Sequence, residues 1–161
     1  MNTTLCETRI EILPEWTDLN GHMNVAYYVL AFDRATDALY KPLGIDWSYL
    51  EREGRSTFTL SMNVDYLREV FAGEEVVVQS RLIDYDDKRI HYFHEMHHSK
   101  GYLSATNEVL SMHVNMTTRR SEPFPQDIQE RLASMKKAHA AMPLPRQVGR
   151  MLGIRAERKN P

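Results

Sequence analysis

Between Val25 and Leu39 the chain runs fifteen residues without Gly or Pro, whereas Thr57–Met116 reads as a succession of strand-like segments. That contrast constrains the fold more than any other feature. Val25, Tyr28, Val29, Phe32, Thr36 and Leu39 recur at three- and four-residue spacing and make one largely apolar helical stripe. Asp33 and Asp37, with Arg34 beside them, fall on the other side. Asn24 precedes the run and is a good N-cap, because its side-chain oxygen can accept a first-turn amide. Pro42 and Gly44 close the region.

Four strand-like segments follow. Thr57–Leu67 places Phe58, Leu60, Met62, Val64 and Tyr66 on one face. Glu75–Tyr85, Lys88–Ser99 and Tyr102–Met116 come next, separated by Asp84-Tyr85-Asp86-Asp87 and Lys100-Gly101 as short polar turns. Glu7–Leu13, with Ile10 and Ile12 on one face, is a short first strand closed by Pro14. Ile45–Arg55 is a connector with at most one helical turn. A meander of long strands with one apolar face needs a cover. One early helix can supply it if the sheet curls around it. The expected class is α+β: a curved antiparallel sheet of about five strands wrapped around one long helix, plus a C-terminal helix over Gln126–Met142. Residues 1–125 form the main domain. Residues 126–161 form the second helix and a basic tail holding Arg146, Arg150, Arg155, Arg158 and Lys159.

The polar turn before the long helix reads Trp16-Thr17-Asp18-Leu19-Asn20-Gly21-His22-Met23-Asn24. Asp18-x-x-Gly21-His22-x-Asn24, followed by Tyr28 and Phe32-Asp33-x-Ala35, resembles the signature of the hotdog-fold acyl-CoA thioesterases of the 4-hydroxybenzoyl-CoA thioesterase type. The wider wording from Glu15 to Tyr28 resembles the branch fused to, or working beside, carnitine dehydrogenases. The likeness continues through Asp65-Tyr66-Leu67, Lys88–His94 and Ala105-Thr106. It implies a hotdog fold, hydrolysis of a small acyl-CoA thioester, and betainyl-CoA as a candidate substrate. It also implies a homodimer or a dimer of dimers with active sites at the shared interface. No metal or redox cofactor is implied; coenzyme A is part of the substrate. The other acyl-CoA readings are a hydratase or dehydratase, and a non-catalytic binding module.

Asp18 is the candidate catalytic carboxylate, as nucleophile or as general base. From the residues alone it reads equally as a turn opener; the resemblance favours catalysis. Gly21, His22, Asn24 and Val25 are the candidate polarising and positioning groups at the helix start, where free N–H groups suit a developing oxyanion. The resemblance places the key donor seven positions after the acid, at Val25. Relatives often carry a histidine there, whereas this chain carries its histidine at His22. Ordinary capping is the alternative role for His22 and Asn24. Trp16, Tyr28 and Phe58 are candidate substrate-binding residues. With Tyr27, Trp47 and Tyr49 they could form an aromatic cage around a quaternary ammonium, though most should be core. Glu108 is expected on the solvent face. The basic tail and Lys88-Arg89 are candidates to meet CoA phosphates, against a solvated surface role.

His94-Glu95-Met96-His97-His98 spells a zinc-protease motif, but that motif needs a helix. In a strand, residues four apart stand about 13 Å from one another. His91, His94, His97 and His98 are expected on the sheet surface or at an interface. Of 161 residues 42% are hydrophobic and 26% charged, with net charge −2. That balance is ordinary for a globular domain and argues against nucleic-acid binding. The single cysteine, Cys6, cannot form an internal disulfide, which fits a cytoplasmic protein. No signal peptide or membrane span is read from the sequence.

Overall fold

The computed structural model describes residues 5–154. The long helix, α1, spans Val25–Tyr40. Asn24 caps it, its side chain accepting from the Ala26 amide at 3.0 Å. A 3-10 turn over Lys41–Leu43 with Pro42 follows. It stops at Gly44, whose φ of 77° is left-handed. A Cβ there would also run into the Arg131 guanidinium. The buried side of α1 is Tyr28, Ala31, Phe32, Ala35, Leu39 and Tyr40. The stripe expected from large residues is therefore rotated: Val25 is 58% exposed, and Ala31 and Ala35 are fully buried. Two alanines let the helix approach the sheet closely, and a count of bulky residues misses them.

The strands are β1 (Cys6–Glu11), β2 (Arg55–Tyr66), β3 (Glu75–Tyr85), β4 (Arg89–His98) and β5 (Leu103–Asn115), in the order β1-β3-β4-β5-β2. Every pairing is antiparallel, and a two-residue strand, β6 (Arg120–Ser121), pairs with the end of β5. The register aligns Val78, Ser80 and Leu82 with Met96, His94 and Tyr92, and these with Ala105, Asn107 and Val109. All nine are buried and form the inner face, against α1. The alternate row, Arg81, Phe93, Glu108 and Asn63, forms the outer face.

The register of β2 against β5 shifts between Thr59 and Ser61, leaving Leu60 as the extra residue of a bulge. One added residue flips every side chain beyond it to the other face. Met62, Val64 and Tyr66 thus share the inner face with Val109, Asn107 and Ala105, while Phe58 pairs with Met112 on the outer face. The single face expected for all five residues of β2 is corrected by this bulge.

Between Tyr40 and β2 lies α2 (Trp47–Glu53), two turns rather than one. Asp46 caps its start, and Gly54, at φ 63°, ends it. The last helix, α3 (Gln126–His139), is shorter than expected. Its Ile128 and Leu132 join Leu39, Tyr40 and Leu43 in one buried cluster, so it packs on the same core as α1. The chain then crosses the outer face. Arg81 donates to Pro143 O at 2.7 Å, the Gly149 amide to Glu108 at 2.8 Å, and Arg150 to Asp65 at 2.8 Å. Arg155, Arg158 and Lys159 lie outside the described residues. A sheet curled over one central helix is the hotdog arrangement anticipated from the motif.

His94 and His98 are buried, which corrects their expected surface position. His94 sits on the inner face, stacked on Phe32 with ring centres 5.7 Å apart. Its Nδ1 lies 2.7 Å from Ser80 Oγ and its Nε2 3.1 Å from Thr36 Oγ1. Thr36 donates its own proton to Phe32 O. The network therefore assigns the ring proton to Nε2, with Nδ1 accepting from Ser80. A neutral ring satisfies both partners and ties α1 to the sheet. Among the described residues no group of three or more His, Cys, Asp or Glu could hold a metal ion. Nor is any helix among them long and apolar enough to cross a membrane.

Burial pushes the His94 pKa down from 6.5 to about 3. Between those values the unfolded chain binds the extra proton and the folded one does not. Stability is therefore full above pH 6.5 and falls as pH drops toward 3. His113 and His139, also lowered mainly by burial, add to the same slope. We expect His94→Gln to flatten the loss of urea midpoint between pH 7 and pH 4.5. An unchanged slope would show that His94 does not carry it.

Candidate active site

The motif turn is built by its backbone. Thr17 and Met23 form an antiparallel bridge that closes the loop. Inside it the Asp18 amide donates to His22 O at 3.2 Å and the Gly21 amide to Asp18 O at 2.9 Å. Gly21 has φ 83°, and nothing lies within 4 Å of where its Cβ would be. The glycine is required for its backbone, not for space. Trp16 and Met23 are buried and anchor the two ends of the loop. The Met23 amide donates to Val70 O at 2.8 Å and the Asn24 amide to Trp16 O at 2.9 Å.

This frame brings Asp18 and Asn24 together, six residues apart in sequence. Asp18 Oδ1 accepts from the Asn20 amide at 2.9 Å, and Oδ2 accepts from Asn24 Nδ2 at 3.3 Å. The other half of the same Asn24 amide caps α1. One side chain thus joins the carboxylate to the positive end of a sixteen-residue helix. The Val25 amide is the first of that helix and has no intrahelical acceptor. A carboxylate fixed beside such a donor can activate water, or attack, while the amide receives charge building on a carbonyl oxygen.

A cleft of about 250 Å³ opens next to this end of α1, lined by His22, Met23, Val25, Tyr28, Tyr66, Leu67, Arg68 and Glu69. Tyr66, the last residue of β2, donates to Val25 O at 3.4 Å. Its ring stands at 86° to that of Tyr28, centres 5.2 Å apart. Burial pushes the Tyr28 hydroxyl up to about 12, so it stays neutral. His22 Nε2 lies 3.8 Å from Glu69 Oε1, and its Nδ1 lies 3.2 Å from Met23 O. A second groove, between α1 and β2, continues down the helix past Val29, Leu30, Asp33, Thr36, Thr59 and Met62.

The structure thus collects Asp18, Gly21, His22, Asn24 and Val25 in one turn, with Tyr28 lining the cleft. It does not bring Trp16 or Phe58 there. Trp16 is 3% exposed, stacked on Tyr27 at 5.6 Å with the Arg34 guanidinium 5.0 Å from its ring. Phe58 is on the outer face. Tyr49 is bonded to His113, and Trp47 is 75% exposed beyond the far end of α1. The six aromatics therefore do not form one cage. Glu108 lies on the outer face as expected, but it is held by His91 at 2.7 Å and by the crossing tail rather than left to solvent. Arg89 is paired with Asp86 at the other end of the sheet, and Arg150 with Asp65. Sequence reasoning gave no role to Tyr66 and passed over Glu69. Tyr66 lay within the stretch of family resemblance; Glu69, in an irregular turn, carried no signal.

Residues 12–132 match the family model of the thioesterase-like superfamily. The betainyl-CoA thioesterase of Pseudomonas aeruginosa is 37% identical over 155 residues, 96% of this chain and 98% of that protein. The L-carnitine dehydrogenase/betainyl-CoA thioesterase of Rhizobium meliloti is 33% identical over 86% of this chain, which spans only 28% of that longer protein. A Staphylococcus aureus protein solved in complex with CoA superposes with a TM-score of 0.90 at 30% identity. The match covers 96% of this chain and 98% of that one.

The two roles of Asn24 can be separated. Serine at a helix start still caps, whereas its short hydroxyl cannot also serve Asp18. Asn24→Ser should keep the melting temperature close to wild type. Its turnover should fall about ten- to hundredfold, as expected from losing a hydrogen bond to a charged group worth ~1.5–3 kcal/mol. Unchanged turnover would remove Asn24 from the positioning of Asp18.

Proposed function

This chain belongs to the thioesterase-like superfamily, and from that premise we propose that it hydrolyses betainyl-CoA to betaine and free coenzyme A. It is an acyl-CoA thioesterase. The near full-length likeness to a betainyl-CoA thioesterase supports the narrower substrate. Fusion of the same kind of domain to L-carnitine dehydrogenase in another relative supports a place in carnitine breakdown. The single Cys6 fits a reducing, cytoplasmic setting.

The observation that carries the mechanism is the Asp18–Asn24–helix junction. The thioester carbonyl oxygen lies at the Val25 amide, and the carbonyl carbon faces Asp18. A water oxygen adds to that carbon as Asp18 takes its proton. The tetrahedral oxyanion is held by the helix amide. Collapse expels the CoA thiolate, which takes up the proton, and the acid leaves. In the nucleophilic variant the carboxylate itself adds, and water opens the resulting anhydride. Both need only water as co-reactant, with no metal or redox group.

A second copy completes the site in this proposal. Phe58, Leu60 and Met62, on the β2 edge, are each more than 40% exposed. An open, apolar edge strand invites pairing with its equivalent. Edge-to-edge pairing would also cover the groove between α1 and β2. Leu60→Lys should shift the protein toward monomer in sedimentation velocity and lower thioesterase activity with it. A variant that stays fully dimeric, or a wild-type monomer with full activity, would contradict this.

For the chemistry, release of CoA from betainyl-, acetyl-, benzoyl- and long-chain acyl-CoA gives the test. Wild type should prefer betainyl-CoA, and Asp18→Asn should lose about 10²–10⁴ of its rate while remaining folded. Full activity in Asp18→Asn would overturn the role of the carboxylate. A flat substrate panel would overturn betainyl-CoA.

A further inference from the structure

We propose that Tyr28, Tyr66 and Glu69 form the subsite that recognises a quaternary ammonium on the acyl group. This rests on betainyl-CoA being the substrate, and it assigns that specificity to residues in the first turn of α1, at the end of β2 and in the turn that follows β2.

Distance selects the subsite. In a betainyl thioester the nitrogen is two bonds from the carbonyl carbon, about 2.5 Å by ordinary N–C–C geometry. The carbonyl oxygen is in turn about 2.9 Å from the amide that polarises it. The ammonium must therefore fall in the immediate surroundings of Val25. Another groove, further along α1 and lined by Asp33, Asp37 and Asp46, is better supplied with carboxylates, but it is remote. Asp33 is eight residues along α1 from Val25, roughly 12 Å at the helical rise. A two-carbon acyl group cannot reach it from the turn.

The cleft beside Val25 has the chemistry a trimethylammonium group needs. Such a cation has no N–H to donate, so it cannot be held by hydrogen bonds. It is held by aromatic faces and by a carboxylate near enough to attract it. Tyr66 touches Val25 through its hydroxyl and leaves its side chain half open to the cleft. Tyr28 stands at a right angle to it. The two rings make adjoining walls of a corner, and Glu69 adds a carboxylate to the same cleft. His22 and Arg68 also line it. His22 approaches Glu69 at 3.8 Å, and the Arg68 guanidinium lies 5.0 Å from the Tyr102 ring centre. The bulge at Leu60 makes this corner possible. Without that extra residue, Tyr66 would face outward, away from Tyr28.

A matched pair of substrates isolates the charge. Betainyl-CoA and 3,3-dimethylbutyryl-CoA have the same branched shape and differ by one positive charge. The readout is the ratio of their kcat/KM values. Wild type should favour betainyl-CoA. Tyr66→Leu should lower the ratio about 2- to 30-fold, the range spanned by single cation–π contacts, and Glu69→Gln should lower it by removing a charge attraction that the neutral thioester does not feel. Tyr66→Phe, which keeps the ring, should hold the ratio near wild type. Circular dichroism and melting temperature confirm that each variant is folded. If wild type favours betainyl-CoA but both variants keep the ratio, losing rate equally on the two thioesters, this subsite is wrong and the substrate reading stands. If wild type shows no preference between the two, the substrate reading itself fails.

Discussion

One amide side chain holds the centre of this molecule. Asn24 gives its oxygen to the first turn of α1 and its nitrogen to Asp18. The same side chain therefore both starts the helix and orients the carboxylate. The rest of the fold serves to keep that junction still. Met23 and Trp16 anchor the turn in the core, and the Val70 carbonyl ties it to the chain leading into β3. The sheet wraps α1 along its length, with Ala31 and Ala35 allowing close approach. At the middle of the helix, His94 links Thr36 to Ser80 by a neutral, fully partnered ring. In the proposed mechanism, preorganisation of this kind would let a single helix amide and a single carboxylate act on a carbonyl without rearranging first.

The two faces of the sheet divide the work. The inner face holds α1, the core and the cleft. The outer face carries the row Arg81, Phe93, Glu108 and Asn63, over which the chain after α3 runs. That crossing explains why several charged groups that look available in the sequence are occupied. Glu108 binds the Gly149 amide and His91, and Arg150 binds Asp65. Neither belongs to the cleft. Arg68, which lines the cleft, was unremarked in the sequence.

What the sequence disclosed followed physical range. The Asn24 cap, the left-handed Gly21 and the helix are local, so neighbouring residues declared them. Strand alternation disclosed the meander and its turns, and the motif disclosed the fold family and the turn that carries Asp18. What stayed hidden depended on partners distant in the chain. The bulge at Leu60 is a property of pairing with β5, and nothing in Phe58-Thr59-Leu60-Ser61-Met62 marks it. It moved Phe58 to the outer face and set Tyr66 against Tyr28. His94 looks like a surface histidine until Ser80 and Thr36 arrive from β3 and α1. Trp16 looked like a binding aromatic because it adjoins the motif, yet adjacency put it underneath the turn, as its anchor.

The most direct test is a crystal structure of the Asp18→Asn protein with betainyl-CoA bound. We expect the thioester carbonyl oxygen within hydrogen-bond distance of the Val25 amide, with the residue 18 side chain beside the carbonyl carbon. The trimethylammonium group should lie in the corner between Tyr28 and Tyr66. A thioester lying elsewhere, with its carbonyl turned away from the start of α1, would contradict this.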